Sequence, residues 1–107
     1  MRKSPALLAT GVLFFQTLAI AAQAENDPAK FFKANCILCH SADGSGSGPT
    51  GKALHAKDLR SDEVQKQTDA TLGESISKGK GKMPAFGTRL SADDVTKMVA
   101  YVRSLKK

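Results

Sequence analysis

Cys36-Ile37-Leu38-Cys39-His40 contains both cysteines of the chain and one of its two histidines. On a helical turn, two thiols separated by two residues can each reach one vinyl group of a porphyrin and form a thioether. The adjacent histidine is then brought under the iron with an imidazole nitrogen facing the metal. The C-x-x-C-H spacing therefore predicts covalent haem attachment through Cys36 and Cys39, with His40 as an iron ligand. Three other chemistries use paired cysteines. A structural disulfide suits an oxidising compartment. A thioredoxin-like redox pair belongs to a βαβ pattern, which this sequence lacks. A zinc site needs a second Cys or His pair, and His55 is the only other histidine. Haem attachment fits best.

On the N-terminal side of the motif, Asp27-Pro28 marks a helix start: Asp caps free backbone N–H groups and Pro tolerates the first helical position. The helix is expected to run through Phe31, Phe32 and Ala34 to about Leu38 and to deliver Cys36, Cys39 and His40 at its C-terminal end. On the other side, residues 41–51 contain four glycines and a proline and are expected to be irregular. The flanking segments are each too short to fold alone, so this stretch reads as a loop wrapped round something, not as an interdomain linker.

Further along, a short helix is expected over residues 61–67 and another over residues 70–78, capped by Asp69, with Leu72 and Ile76 on one face. Gly79 is a natural stop. Ser91 with Asp94 three residues on forms a capping box. Val95, Met98, Val99, Val102 and Leu105 then follow at helical spacing, which predicts the clearest amphipathic helix of the chain. No strand and no internal repeat is expected, so the fold class is all-α, with three to four helices.

Haem iron in an electron carrier calls for a sixth ligand. Met83 is the first candidate, because it lies in the irregular stretch Gly79-Lys80-Gly81-Lys82-Met83-Pro84-Ala85-Phe86-Gly87. Glycines let such a chain fold over a planar group, and Pro84 stiffens it. Two rivals remain: Met98, which sits on the apolar stripe of the last helix, and His55, which lacks a comparable stiff loop. Leu54, Leu59, Leu72, Ile76, Phe86, Val95 and Val99 are candidates for an apolar wall round the porphyrin. Arg60 is a candidate partner for a propionate.

At the start of the chain, Met1-Arg2-Lys3 is basic, Ala6 to Ala22 is mostly apolar or small, and Ala22-Gln23-Ala24 is an Ala-x-Ala cleavage pattern. Residues 1–24 therefore read as a secretory signal peptide and residues 25–107 as the mature domain. The alternative is an uncleaved membrane anchor. Without Arg2 and Lys3 the formal charge falls from +6 to +4. An 83-residue domain with no Trp has little core of its own, and a bound cofactor would supply the missing interior. The dispersed lysines, with no basic helix or aromatic ladder, argue against nucleic acid. They suit acidic docking surfaces on partner proteins, and Lys52, Lys57, Lys78, Lys80 and Lys82 flank the candidate site.

Taken together, these residues resemble the class I cytochrome c family, in particular its small monohaem bacterial and algal carriers, over essentially the whole of residues 25–107. Phe32, four residues before Cys36, resembles the family's aromatic on the first helix. Gly48-Pro49 resembles the loop whose proline carbonyl accepts the proximal histidine's N–H. Met83-Pro84-Ala85-Phe86-Gly87 resembles the distal ligand loop. Ala100-Tyr101-Val102 resembles the last helix, whose aromatic packs on the first, while Pro28 stands where the family often has a small glycine. The resemblance implies a small cytochrome c fold round one haem c, with iron held by His40 and Met83. It implies a soluble, monomeric one-electron carrier, not an enzyme, in the periplasm or, in a photosynthetic source, the thylakoid lumen. A haem enzyme or gas-binding protein with a labile sixth ligand, and a membrane-tethered electron-transfer subunit of an oxidase, are the competing functions.

Overall fold

The computed structural model describes residues 2–15 and 26–107. Residues 2–15 form no helix or strand and are exposed. The expected cleavage site after Ala24 and residues 16–22 of the apolar segment lie outside the described residues. Among the described residues, no helix is long and apolar enough to cross a membrane.

Residues 26–107 are helical. Six segments follow in order: α1 (Pro28–Asn35), α2 (Ile37–His40), α3 (Pro49–Leu54), α4 (Asp62–Gln65), α5 (Asp69–Lys78) and α6 (Ala92–Ser104). Only α1, α5 and α6 are longer than two turns. Among the described residues the extended pairing is a single bridge between Lys80 and Met83. The all-α expectation is met, with more and shorter segments than the three to four helices anticipated.

Local chemistry explains the boundaries. Asp27 caps α1, its carboxylate accepting from the Lys30 N–H at 3.0 Å, with Pro28 at the first position. The helix does not continue through Leu38 as the sequence suggests. Asn35 turns its side-chain amide back to donate to the Phe31 carbonyl at 3.0 Å, a local bond of the kind that favours helix ends. The chain bends at Cys36, and a separate turn, α2, carries Cys39 and His40. The glycine-rich stretch is also less irregular than expected, because Pro49 opens α3, as its fixed φ allows. Thr68, not Asp69, caps α5 through its hydroxyl. The capping box of α6 forms as expected, with Ser91 and Asp94 bonded reciprocally.

Helix α6 is the spine: α5 and α1 both pack on it, and α2 packs on α3. Two apolar clusters result. Phe31, Phe32, Phe86, Leu90 and Met98 form one, under α1 and α2. Val64, Leu72, Val99 and Val102 form the other, between α4, α5 and α6. Leu59 and Ile76 pack against both. Burying a side chain of this size contributes about 1.5–3 kcal/mol. Phe32 meets Tyr101 with ring centroids 4.9 Å apart, which places the last helix's aromatic on the first helix as expected despite Pro28.

Candidate functional site

The kink at Cys36 sets out the C-x-x-C-H residues. The Cys36 carbonyl accepts from both the Cys39 N–H (3.2 Å) and the His40 N–H (2.9 Å), so two thiols and an imidazole occupy one tight turn. Both cysteines are free and half-buried, so the disulfide alternative is not formed. Burial pushes the Cys36 thiol up to about 11, and the neighbouring Cys39 adds to the rise, while the Arg89 cation opposes it. A sulfur in this setting is favoured as a neutral group, and a thioether is neutral at every pH.

His40 Nδ1 lies 3.0 Å from the carbonyl oxygen of Lys57. The sequence resemblance assigned that acceptor to Pro49; the structure puts Lys57 there instead, with Pro49 taken into α3. With Nδ1–H donating to a carbonyl, the imidazole is fixed in the tautomer whose Nε2 carries the lone pair a metal needs.

Met83 is half-buried in the segment that follows α5. Lys80 and Met83 exchange both backbone hydrogen bonds, at 3.1 and 2.9 Å. The Phe86 N–H donates to Ile76 O and the Gly87 N–H to Ser77 O, each at 2.9 Å. The Met83 segment is thus stitched to the end of α5. Gly79 permits this. Its φ is +74°, and a Cβ there would stand 2.6 Å from the Met83 carbonyl oxygen and 2.9 Å from Ala85 N, which no side chain tolerates.

The other candidates fall elsewhere. Met98 is 3 % exposed in the first apolar cluster. His55 is exposed and left-handed at the end of α3. Of the proposed apolar wall, Phe86 lies in the first cluster, and Leu72 and Val99 in the second. Leu59, Ile76 and Val95 pack partly buried beside the clusters, and Leu54 stays exposed. Arg60 donates to both Asp58 oxygens, at 2.9 and 3.0 Å, and reaches Asp43 at 3.5 Å; its guanidinium is committed to carboxylates of this chain. Sequence reasoning missed Arg89, whose guanidinium lies 5.3 Å from the Phe31 ring and 5.8 Å from the Phe86 ring. A surface groove lined by Asp69, Gly73, Val95, Val99 and Arg103 runs between α5 and α6 and includes none of the C-x-x-C-H residues.

Residues 23–102 match the family model described as cytochrome C oxidase, cbb3-type, subunit III. The chain belongs to the c-type cytochrome family. It is similar to cytochrome c6 of Picosynechococcus sp., at 37% identity over 90% of this chain and 84% of that one. Cytochrome c6 of Porphyra purpurea is 35% identical over 97% of this chain and 94% of its own. Among solved structures, the KustC0563 c-type cytochrome superposes with a TM-score of 0.69 at 31% identity, covering 77% of this chain and all of that one. A monohaem class I cytochrome c fold with covalently bound haem c follows, and with it one-electron transfer to redox partner proteins. The donor set fits the group: two free half-buried thiols on one turn, and an imidazole whose outer nitrogen is already engaged.

Proposed function

We propose that Cys36 and Cys39 are the two thioether positions of this cytochrome, that His40 and Met83 are its axial ligands, and that residues 25–107 are the mature, exported domain. The observation that carries this reading is the turn at residues 36–40, where the two cysteines of the chain flank an imidazole with Nδ1 bonded to Lys57. Bound haem supplies the one-electron couple. The chain's part is to grip, to exclude water and to set the donor strength of the ligands. His40 and Met83 together leave no open coordination position, which supports transfer over catalysis and favours a higher potential than two histidines would.

A lysine face supports acidic partners. The Glu63 carboxylate is held below its usual range first by a hydrogen bond from Lys57, and more distantly by the charge of Lys80. Lys57 and Lys80 both act on this one carboxylate, and both are exposed. We take the carrier to be a monomer of the periplasm or thylakoid lumen, met by partners through this face.

Mass spectrometry of the purified protein tests the proposal. The expected mass is that of residues 25–107 plus one haem, with neither cysteine open to alkylation. A mass without haem, or alkylation of Cys36 or Cys39 in the coloured protein, overturns it.

A further inference from the structure

Gly46 lies between His40 and the segment whose carbonyl bonds the His40 ring. Its N–H donates to the His40 carbonyl oxygen at 2.7 Å. Its α-carbon also faces the returning segment: a Cβ built there would lie a tight 3.0 Å from Ala56 O and an ordinary 3.5 Å from Lys57 O. Lys57 O is the group that accepts from the His40 ring. Gly46 has φ +68°, a conformation side chains rarely adopt. The same loop is closed on either side by Leu59 N–H to Gly44 O and Ala56 N–H to Gly51 O, each 2.8 Å, so residues 56–59 cannot drift away from it as a unit. The approach of the Lys57 carbonyl to the imidazole therefore depends on the empty side of one glycine.

We infer that Gly46 is a positioning residue for His40: it sets the length of the hydrogen bond from Nδ1–H to the Lys57 carbonyl, and through that bond the electron donation of the imidazole. The inference rests on His40 being an axial ligand. A strong bond at Nδ1 raises the basicity of Nε2, and a more basic ligand favours ferric iron, so a tighter bond lowers the reduction potential. A side chain at residue 46 presses on the Ala56 carbonyl, and the peptide that joins Ala56 to Lys57 must move with it, which lengthens the bond and raises the potential. Gly48 is the internal comparison. It lies in the same loop with φ −72°, and a Cβ there would meet only Ser41 Oγ, at an ordinary 3.6 Å.

The test uses three holoproteins: the natural chain, Gly46→Ala and Gly48→Ala. Reduction potential is measured by redox titration, and solvent exchange of the His40 Nδ1 proton by NMR. Gly46→Ala is expected to raise the potential and to speed exchange roughly tenfold, the scale set by the loss of one hydrogen bond; Gly48→Ala is expected to change neither. Should Gly46→Ala yield no holoprotein, Gly46→Asn is measured in its place. Asn tolerates positive φ but still sets a Cβ against Ala56, so the same shifts are expected. The inference is overturned if the substituted Gly46 protein matches Gly48→Ala in both readouts. If the natural protein shows no paramagnetically shifted histidine ring proton at all, His40 is not the ligand, and the inference falls together with that assignment.

Discussion

The carboxylate of Asp94 holds Asn26 against the start of the last helix. Asp94 is 2 % exposed, yet its oxygens accept from the Asn26 N–H (3.2 Å), the Asn26 side-chain amide (2.9 Å) and the Ser91 N–H (3.1 Å). The same residue that completes the capping box of α6 thus anchors the beginning of the domain. These bonds, the Asn26 amide first, hold the carboxyl below its usual range against the opposing effect of burial. A lowered folded pKa means stability that is present above the unfolded value and lost as pH falls through the folded one. Asp94→Asn is expected to unfold at lower denaturant concentration than the natural protein at pH 7. The gap should begin to narrow near about pH 4, the unfolded carboxyl value, and go on shrinking as pH falls further. Equilibrium unfolding of both holoproteins from pH 7 to pH 3 checks this, and a constant gap would contradict it.

Phe32 and Tyr101 join the two ends of the domain. Phe32 is 2 % exposed and contacts Tyr101 at a tilted 44°. Phe32→Ala is expected to cost about 3–5 kcal/mol, the range for removing a buried aromatic. A double-mutant cycle with Tyr101→Ala should return a coupling of about 0.5–1.5 kcal/mol. Additive losses in urea titrations would show that the ring pair adds nothing beyond burial.

Gly79→Ala should loosen the Met83 segment without touching the sulfur. The added methyl collides with the Met83 carbonyl and Ala85 N, so the segment must lift from α5. The expected result is faster cyanide binding to the ferric protein and a weaker sulfur-to-iron charge-transfer band. Gly81→Ala meets nothing within 4 Å and carries only the backbone strain of φ +57°, so it should show less. Equal cyanide rates for the two variants would argue that the segment is not held by Gly79.

Docking through lysines, as proposed, predicts a rate that depends on salt. Lys52, Lys80 and Lys82 are exposed, while Lys57 and Lys78 pair with Glu63 and Glu74 at 2.8 and 3.2 Å. Such exposed pairs are weak, so a partner carboxylate can displace them. Electron-transfer rate with an acidic partner should fall as ionic strength rises. Lys80→Gln with Lys82→Gln should flatten the dependence, whereas a flat profile in the natural protein would remove the steering role.

The parts of this fold that could be read from the sequence are those written in side-chain types. Cys36, Cys39 and His40 suggest their chemistry by identity and spacing, and the structure sets them on one turn. Val95, Met98, Val99 and Val102 name a helix by period, and Ser91 with Asp94 names its start. What stayed hidden is written in the backbone. A carbonyl acceptor has no residue signature, so Pro49 drew the assignment that belongs to Lys57. At the break at Cys36 the Asn35 side chain folds back on the Phe31 carbonyl, a choice that periodicity does not record. Glycine content alone suggested an irregular loop, whereas Gly46 serves by close approach and Pro49 opens a helix. The Arg89 stack on Phe31 and Phe86 joins residues far apart in sequence and needed the fold to be seen.

The account depends most on two axial donors far apart in the sequence, His40 and Met83. Replacing Met83 with Ala and recording the visible and near-infrared spectrum together with the reduction potential tests this directly. The account predicts loss of the sulfur-to-iron charge-transfer band, a lower potential and an iron that binds cyanide or carbon monoxide readily, with the haem still covalently attached. An unchanged band and potential in Met83→Ala would contradict it.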